Sequence, residues 1–177
     1  GVILSLLFRG IAAGLKGLSE ADGEQLASAL ESGVQAAYKA VMKPTEGTIL
    51  TVARMAAEQA KTVSYQNNDP VAVFEAALSE AKAALAATPE QLPVLKKAGV
   101  VDAGGQGLVY IFEGMLSVLR DGKMVESRTA GQPAEKPLPK ATANADYEGE
   151  FTYCTEYIVN KAPGCADPLK LRGYLES

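Results

Sequence analysis

The chain contains no histidine. That excludes Ser–His and Cys–His nucleophilic catalysis, in which an imidazole takes the nucleophile's proton. Its two cysteines, Cys154 and Cys165, are too few for a disulfide framework, and no histidine is present to complete a zinc site with them. Reduced, structural cysteines in a cytoplasmic protein are the expectation. Basic residues are not in excess: 17 Lys and Arg stand against 21 Asp and Glu, a net charge of −4. Broad electrostatic attraction to DNA, RNA or an anionic membrane is therefore not expected, although a local basic patch is still allowed. Long apolar runs are missing too. The stretch from Val2 to Leu7 is too short to span a bilayer and has no basic flank before it. Neither a signal peptide nor a transmembrane helix is predicted.

What is present suits a helical core. Apolar residues make up 47% of the 177 residues and charged residues 21%, enough to bury an interior. Val2 to about Leu15 is apolar nearly all round and reads as a buried helix. Ser19-Glu20-Ala21-Asp22 forms a capping-box pattern ahead of Leu26, Leu30, Val34, Ala37 and Val41, which follow at helical spacing. Thr48 to about Ser64 places Ile49, Val52, Ala53, Ala56, Ala60 and Val63 on one face. Asp69-Pro70 is an N-cap with proline at the first helical position. It opens a helix to about Ala87, with Phe74, Leu78, Ala81 and Leu85 inward. Thr88-Pro89-Glu90-Gln91 is expected to start a separate short helix. Gly104 to about Arg120 completes the set, with Val109, Ile111, Phe112, Met115, Leu116 and Leu119 inward. Abundant alanine allows close packing, and short loops predict antiparallel neighbours.

The composition shifts after Asp121-Gly122. Residues 123–146 hold Pro133, Pro137 and Pro139 among small and charged residues and read as a linker. Phe151 to Val159 reads as a strand, and Asp167-Pro168 caps a further helix. The expected organisation is a helical domain over 1–122, a linker, and the start of an α+β domain over 147–177. The chain begins without methionine inside one helical pattern and stops inside another. It is expected to be a piece of a longer protein.

Three glycine-marked openings stand at the starts of apolar helices. They are Gly1-Val2-Ile3-Leu4, Glu46-Gly47-Thr48-Ile49-Leu50 and Asp102-Ala103-Gly104-Gly105-Gln106-Gly107-Leu108. A helix start leaves its first N–H groups unpaired and carries partial positive charge, so it attracts anions. Glycine lets a phosphate approach the backbone closely. Taken singly, each glycine is more simply a helix breaker, and Asp102 is simply an N-cap.

The residues around these glycines resemble the signature segments of a known family. Lys43-Pro44-Thr45-Glu46-Gly47-Thr48-Ile49-Leu50-Thr51-Val52 and Ala98-Gly99-Val100-Val101-Asp102-Ala103-Gly104-Gly105-Gln106-Gly107-Leu108 are similar to two segments of the DhaL family, the nucleotide-binding subunits of dihydroxyacetone kinases. The similarity is strongest to its fatty-acid kinase, FakA-like branch. Gly1 to Gly10 resembles the stretch after Asn-Ser in that branch's Gly-Asn-Ser-Gly loop. Tyr153-Cys154-Thr155-Glu156-Tyr157-Ile158-Val159 resembles the start of its middle domain.

The resemblance implies an antiparallel helical barrel with ATP or ADP at one end. It implies nucleotide contacts at Gly1, Val2, Gly47, Thr48, Asp102, Ala103, Gly104 and Gly105. It also implies a fatty-acid-binding carrier protein as partner, a homodimer for the full-length form, and Mg²⁺ held by an upstream Asp-Gly-Asp-Thr-Gly-type segment. No such motif occurs in this sequence. Phosphoryl transfer needs the metal's charge, so these residues by themselves are expected to show no turnover. A dihydroxyacetone-type kinase subunit and a non-catalytic helical scaffold or lipid-binding bundle are the alternatives. The scaffold gains if the glycine openings do not converge.

Overall fold

A computed structural model of the chain describes residues 1–122. The expected linker, the strand at Phe151–Val159, the helix after Asp167 and both cysteines lie outside the described residues. Among those described, six helices and no strand are found: α1 Val2–Gly14, α2 Gly23–Ala40, α3 Ile49–Ser64, α4 Pro70–Gln91, α5 Pro93–Ala98 and α6 Ala103–Asp121. The described residues are mainly helical, as the periodicity predicts.

Local chemistry sets the helix starts. Asp69 caps α4, its carboxylate accepting from the Ala72 N–H at 2.9 Å, with Pro70 at the first position. Asp102 caps α6, accepting from the Gly105 N–H at 2.7 Å. Two expectations need correction. The capping box of α2 is formed by Asp22 and Gln25 rather than by Ser19 and Asp22. The Gln25 N–H donates to Asp22 Oδ1 at 2.8 Å, and the Asp22 N–H donates to Gln25 Oε1 at 3.1 Å. Thr88-Pro89 does not start a helix; α4 runs through it. Proline has no N–H to give the carbonyl four residues back, here Leu85. The Thr88 hydroxyl donates to that carbonyl at 2.7 Å, so the helix continues. The short helix starts later, at Pro93.

Sequence neighbours pack antiparallel. Gly10 of α1 lies against Gly33 of α2, and Gly14 against Ala29. Tyr38 and Glu31 of α2 meet Arg54 and Lys61 of α3. Leu85 and Glu75 of α4 meet Gly105 and Arg120 of α6. Helices α1, α3 and α6 therefore point one way, and α2 and α4 the other. The core is built from α3, α4 and α6 with α2. Phe74, fully buried, stacks at a tilt on Phe112 with ring centroids 5.1 Å apart. Small residues do bring helices close. A Cβ on Gly10 would lie 2.6 Å from the Gly33 Cα, so α1 and α2 nearly touch through their backbones.

The first helix is less enclosed than its composition predicts. Only Leu7 and Gly10 of α1 are buried, because α2 is its main neighbour among the described residues. Leu119, expected inward, is exposed near the end of α6.

Candidate functional site

The common direction of α1, α3 and α6 brings their starts to one end. There a cleft of about 380 Å³ is lined by Gly1, Val2, Ile3 and Leu4 of the first opening, Ile49 of the second, and Ala103, Gly104, Gly107, Leu108 and Ile111 of the third. Its size falls within the range of small-molecule sites. A methyl group built on Gly104 would stand 3.3 Å from the Ile49 Cβ, which measures how close α3 and α6 come. Two other grooves flank Arg54, between α2 and α3 and between α3 and α4. Neither is lined by a residue at the start of α1 or α6.

The helix starts at this end are left open. No side chain caps α1. In α3 the Thr48 hydroxyl accepts from the Leu50 N–H, and in α6 Asp102 takes the Gly105 N–H. The amides of Val2, Ile3, Leu4, Ile49, Ala103 and Gly104 find no acceptor among the described residues. The opposite end is nearly sealed, with the Val71 amide of α4 the one left over among the described residues. At the start of α2, the Gly23 N–H donates to the Asn68 carbonyl at 2.9 Å, the Glu24 N–H to Asn68 Oδ1 at 2.7 Å, and the Gln25 N–H to Asp22.

The structure sorts the residues predicted to touch nucleotide. Gly1, Val2, Ala103 and Gly104 line the cleft; Gly47, Thr48, Asp102 and Gly105 are close to lining residues in the chain but do not line it themselves. Thr48 is the N-cap of α3, and its hydroxyl also donates to the Thr45 carbonyl at 2.8 Å. Gly47 has φ +79°, a left-handed conformation that glycine takes without strain. A Cβ there would also crowd Gln91 and Leu92, each at 3.0 Å. Gly105 faces inward. Its Cβ would lie 2.9 Å from Val52 and 3.1 Å from Leu85, so helix packing is the first reason for glycine at this position.

Several residues at this end escaped sequence reasoning. Gly107 lines the cleft with open space where a Cβ would go. Thr88 is fully buried and joins two openings: its hydroxyl accepts from the Asp102 N–H at 3.1 Å, and its carbonyl packs against Gly47. Glu46, Thr51, Arg54 and Tyr38 form a polar cluster beside the second opening. The Thr51 hydroxyl donates to Glu46 Oε2 at 2.7 Å, and Arg54 Nη2 donates to the same oxygen at 2.9 Å. These bonds, that from Thr51 foremost, hold the Glu46 carboxyl below its ordinary pKa. Burial pushes the Tyr38 phenol up. Hydrogen bonds to Tyr38, Glu46 and Glu58 keep Arg54 firmly protonated.

Among the described residues, no group of three or more His, Cys, Asp or Glu is placed to hold a metal ion. No described helix is long and apolar enough to cross a membrane.

Comparison with known proteins gives this end a context. The DAK2 domain family matches residues 1–117. The chain is 42% identical over 170 residues to Protein YloV of Bacillus subtilis. It is 42% identical over 166 residues to an uncharacterized protein of Staphylococcus haemolyticus, and 46% identical over 166 residues to one of Staphylococcus aureus. Each alignment covers 90% of this chain but only 29% to 30% of the relative. With two thirds of its length inside the DAK2 match, the chain belongs to the DAK2, DhaL-type family of dihydroxyacetone kinase-type nucleotide-binding subunits.

Proposed function

We propose that this chain is the ATP-binding part of a kinase subunit that phosphorylates a fatty acid held by a separate lipid-carrier protein. The observation that carries the nucleotide half is the meeting of three open helix starts around one apolar-walled cleft. Apolar walls from Ile3, Leu4, Ile49, Leu108 and Ile111 suit the faces of a purine, and unpaired amides at the rim suit phosphate oxygens. The family typically binds ADP or ATP. When bound, ATP supplies the phosphoryl group; the work of this chain's residues is to bind and orient it. The Mg²⁺ that such transfer uses finds no ligand set among the described residues, so no step is assigned through it. The convergence of the glycine openings favours this reading over a scaffold.

The acceptor rests on the resemblance of Tyr153–Val159 to the start of a fatty-acid kinase middle domain. The family match equally suits a dihydroxyacetone-type kinase, so the acceptor needs its own test. A homodimer in the cytoplasm is the assembly that goes with the fatty-acid reading.

Calorimetric titration of the intact protein with a non-hydrolysable ATP analogue tests the site. Gly107→Val puts a branched side chain at the cleft, where nothing lies within 4 Å of the new Cβ. It should weaken binding about tenfold or more while leaving stability equal or a few tenths of a kcal/mol higher, since valine suits a helix better than glycine. A parent that does not bind the analogue, or a variant that binds like the parent, overturns the nucleotide site. Transfer from ATP to a fatty-acid-loaded carrier supports the acceptor; transfer to dihydroxyacetone instead replaces it.

A further inference from the structure

We propose that Thr51, Glu46 and Arg54 are positioning residues that hold the Gly47–Thr48 turn in the form the nucleotide cleft requires. The proposal rests on the nucleotide reading above. Its basis is a continuous chain of hydrogen bonds. The Gly47 N–H donates to Thr51 Oγ1 at 2.9 Å, and the Thr51 hydroxyl donates onward to Glu46 Oε2 at 2.7 Å. Arg54 Nη2 holds that oxygen at 2.9 Å from the next turn of α3. Arg54 Nε donates to the Tyr38 hydroxyl at 3.3 Å, which donates to Glu46 Oε1 at 3.4 Å, so α2 is tied in as well. Arg54 Nη1 is anchored by Glu58 at 3.0 Å.

The placement explains why such a chain is needed. Gly47 turns through a left-handed conformation immediately before Thr48, the N-cap of α3. Its amide would otherwise be a buried donor without a partner, which is costly. Thr51 is 2% exposed, the one buried side chain among these links, and its hydroxyl serves as acceptor and donor at once. Glu46 and Arg54 are too exposed for their ion pair to add much stability. Their geometry instead fixes where the hydroxyl points. Ile49, the next residue into α3 after Thr48, forms the cleft wall and approaches Gly104. A turn that loosens moves that wall.

The test uses the intact protein with a non-hydrolysable ATP analogue and with hydrogen exchange at the Gly47 amide. Thr51→Val keeps the shape and removes the hydroxyl; Thr51→Ser keeps the hydroxyl. Phe74→Leu, in the core near the start of α4, serves as a control that lowers the melting temperature far from the turn. Thr51→Val and Glu46→Ala should weaken analogue binding about tenfold, while Thr51→Ser stays within about twofold of the parent. Phe74→Leu should leave the affinity unchanged. Without nucleotide, the Gly47 amide should exchange faster in Thr51→Val than in the parent. Parent-like binding by Thr51→Val, or an equal loss in Phe74→Leu, overturns the proposal. A parent that binds no nucleotide removes the nucleotide reading itself. The exchange rate then decides: faster exchange in Thr51→Val sustains the turn-holding role, and unchanged exchange overturns it.

Discussion

The two ends of the bundle treat the same chemical problem in opposite ways. Every helix start leaves amides without intrahelical acceptors. At the end where α2 and α4 begin, Asp22, Asn68 and Asp69 accept every one of those amides but Val71's, and Pro70 has none to offer. At the end where α1, α3 and α6 begin, only Leu50 and Gly105 receive a side-chain cap. Capping is nearly complete at one end and sparse at the other. Open amides at the other end are gathered around a cleft, and on the nucleotide reading proposed above they are the groups that would meet an anion.

The contrast can be broken or sharpened by substitution. The largest effect should come from Phe74→Ala, in the core beside the sealed end. Loss of a fully buried ring that packs on Phe112 should cost about 3–5 kcal/mol in urea unfolding. Nucleotide affinity of the molecules still folded should not change; if it does, the two ends are not independent. Next, Asn68→Ala removes the acceptor of the Glu24 amide and should cost about 1–2 kcal/mol without touching nucleotide affinity. Thr48→Ala should cost less stability, about 0.5–1 kcal/mol, because its bond to the Leu50 amide is long at 3.3 Å. It should weaken the ATP analogue all the same. If Asn68→Ala also weakens it, or Thr48→Ala does not, the division between a sealed and a receiving end fails.

The smallest effect concerns pH. Folding holds the Glu46 carboxyl below its ordinary value of 4.5, so its contribution is full above that value and is lost as pH falls through the lower folded pKa. Between pH 6 and pH 3 the melting temperature of Glu46→Gln should fall less than that of the parent. Since Glu46 is half exposed, the difference should be small. Parallel falls would show that the carboxylate is not held by the cluster.

The helices were legible because their signals are local. Asp69-Pro70 and Asp102 cap the residues that follow them, and helical spacing marked most inward positions. The errors arose where a distant residue decides. Ser19-Glu20-Ala21-Asp22 has the pattern of a capping box, but the chain enters α2 at Asp22, where Asn68 supplies further acceptors from 44 residues away. Thr88-Pro89 has the pattern of a helix start. Its hydroxyl turns back to Leu85 and also receives the Asp102 amide, which only the fold brings near. The site shows the same division. The glycine motifs stood out in the sequence, whereas the reason for Gly105 depends on Val52 and Leu85 from two other helices. The link between Glu46 and Arg54 spans a turn and a helix start, with a third partner on α2, and no short motif announces it.

Thr88 has a consequence for how this protein can be watched. One buried residue touches two of the three openings, through its hydroxyl to the Asp102 amide and through its carbonyl to Gly47. A spectroscopic label on that threonine would therefore sense motion of either loop from inside the core, where solvent does not blur the signal. Its methyl resonance would report on both loops at once from a single buried position.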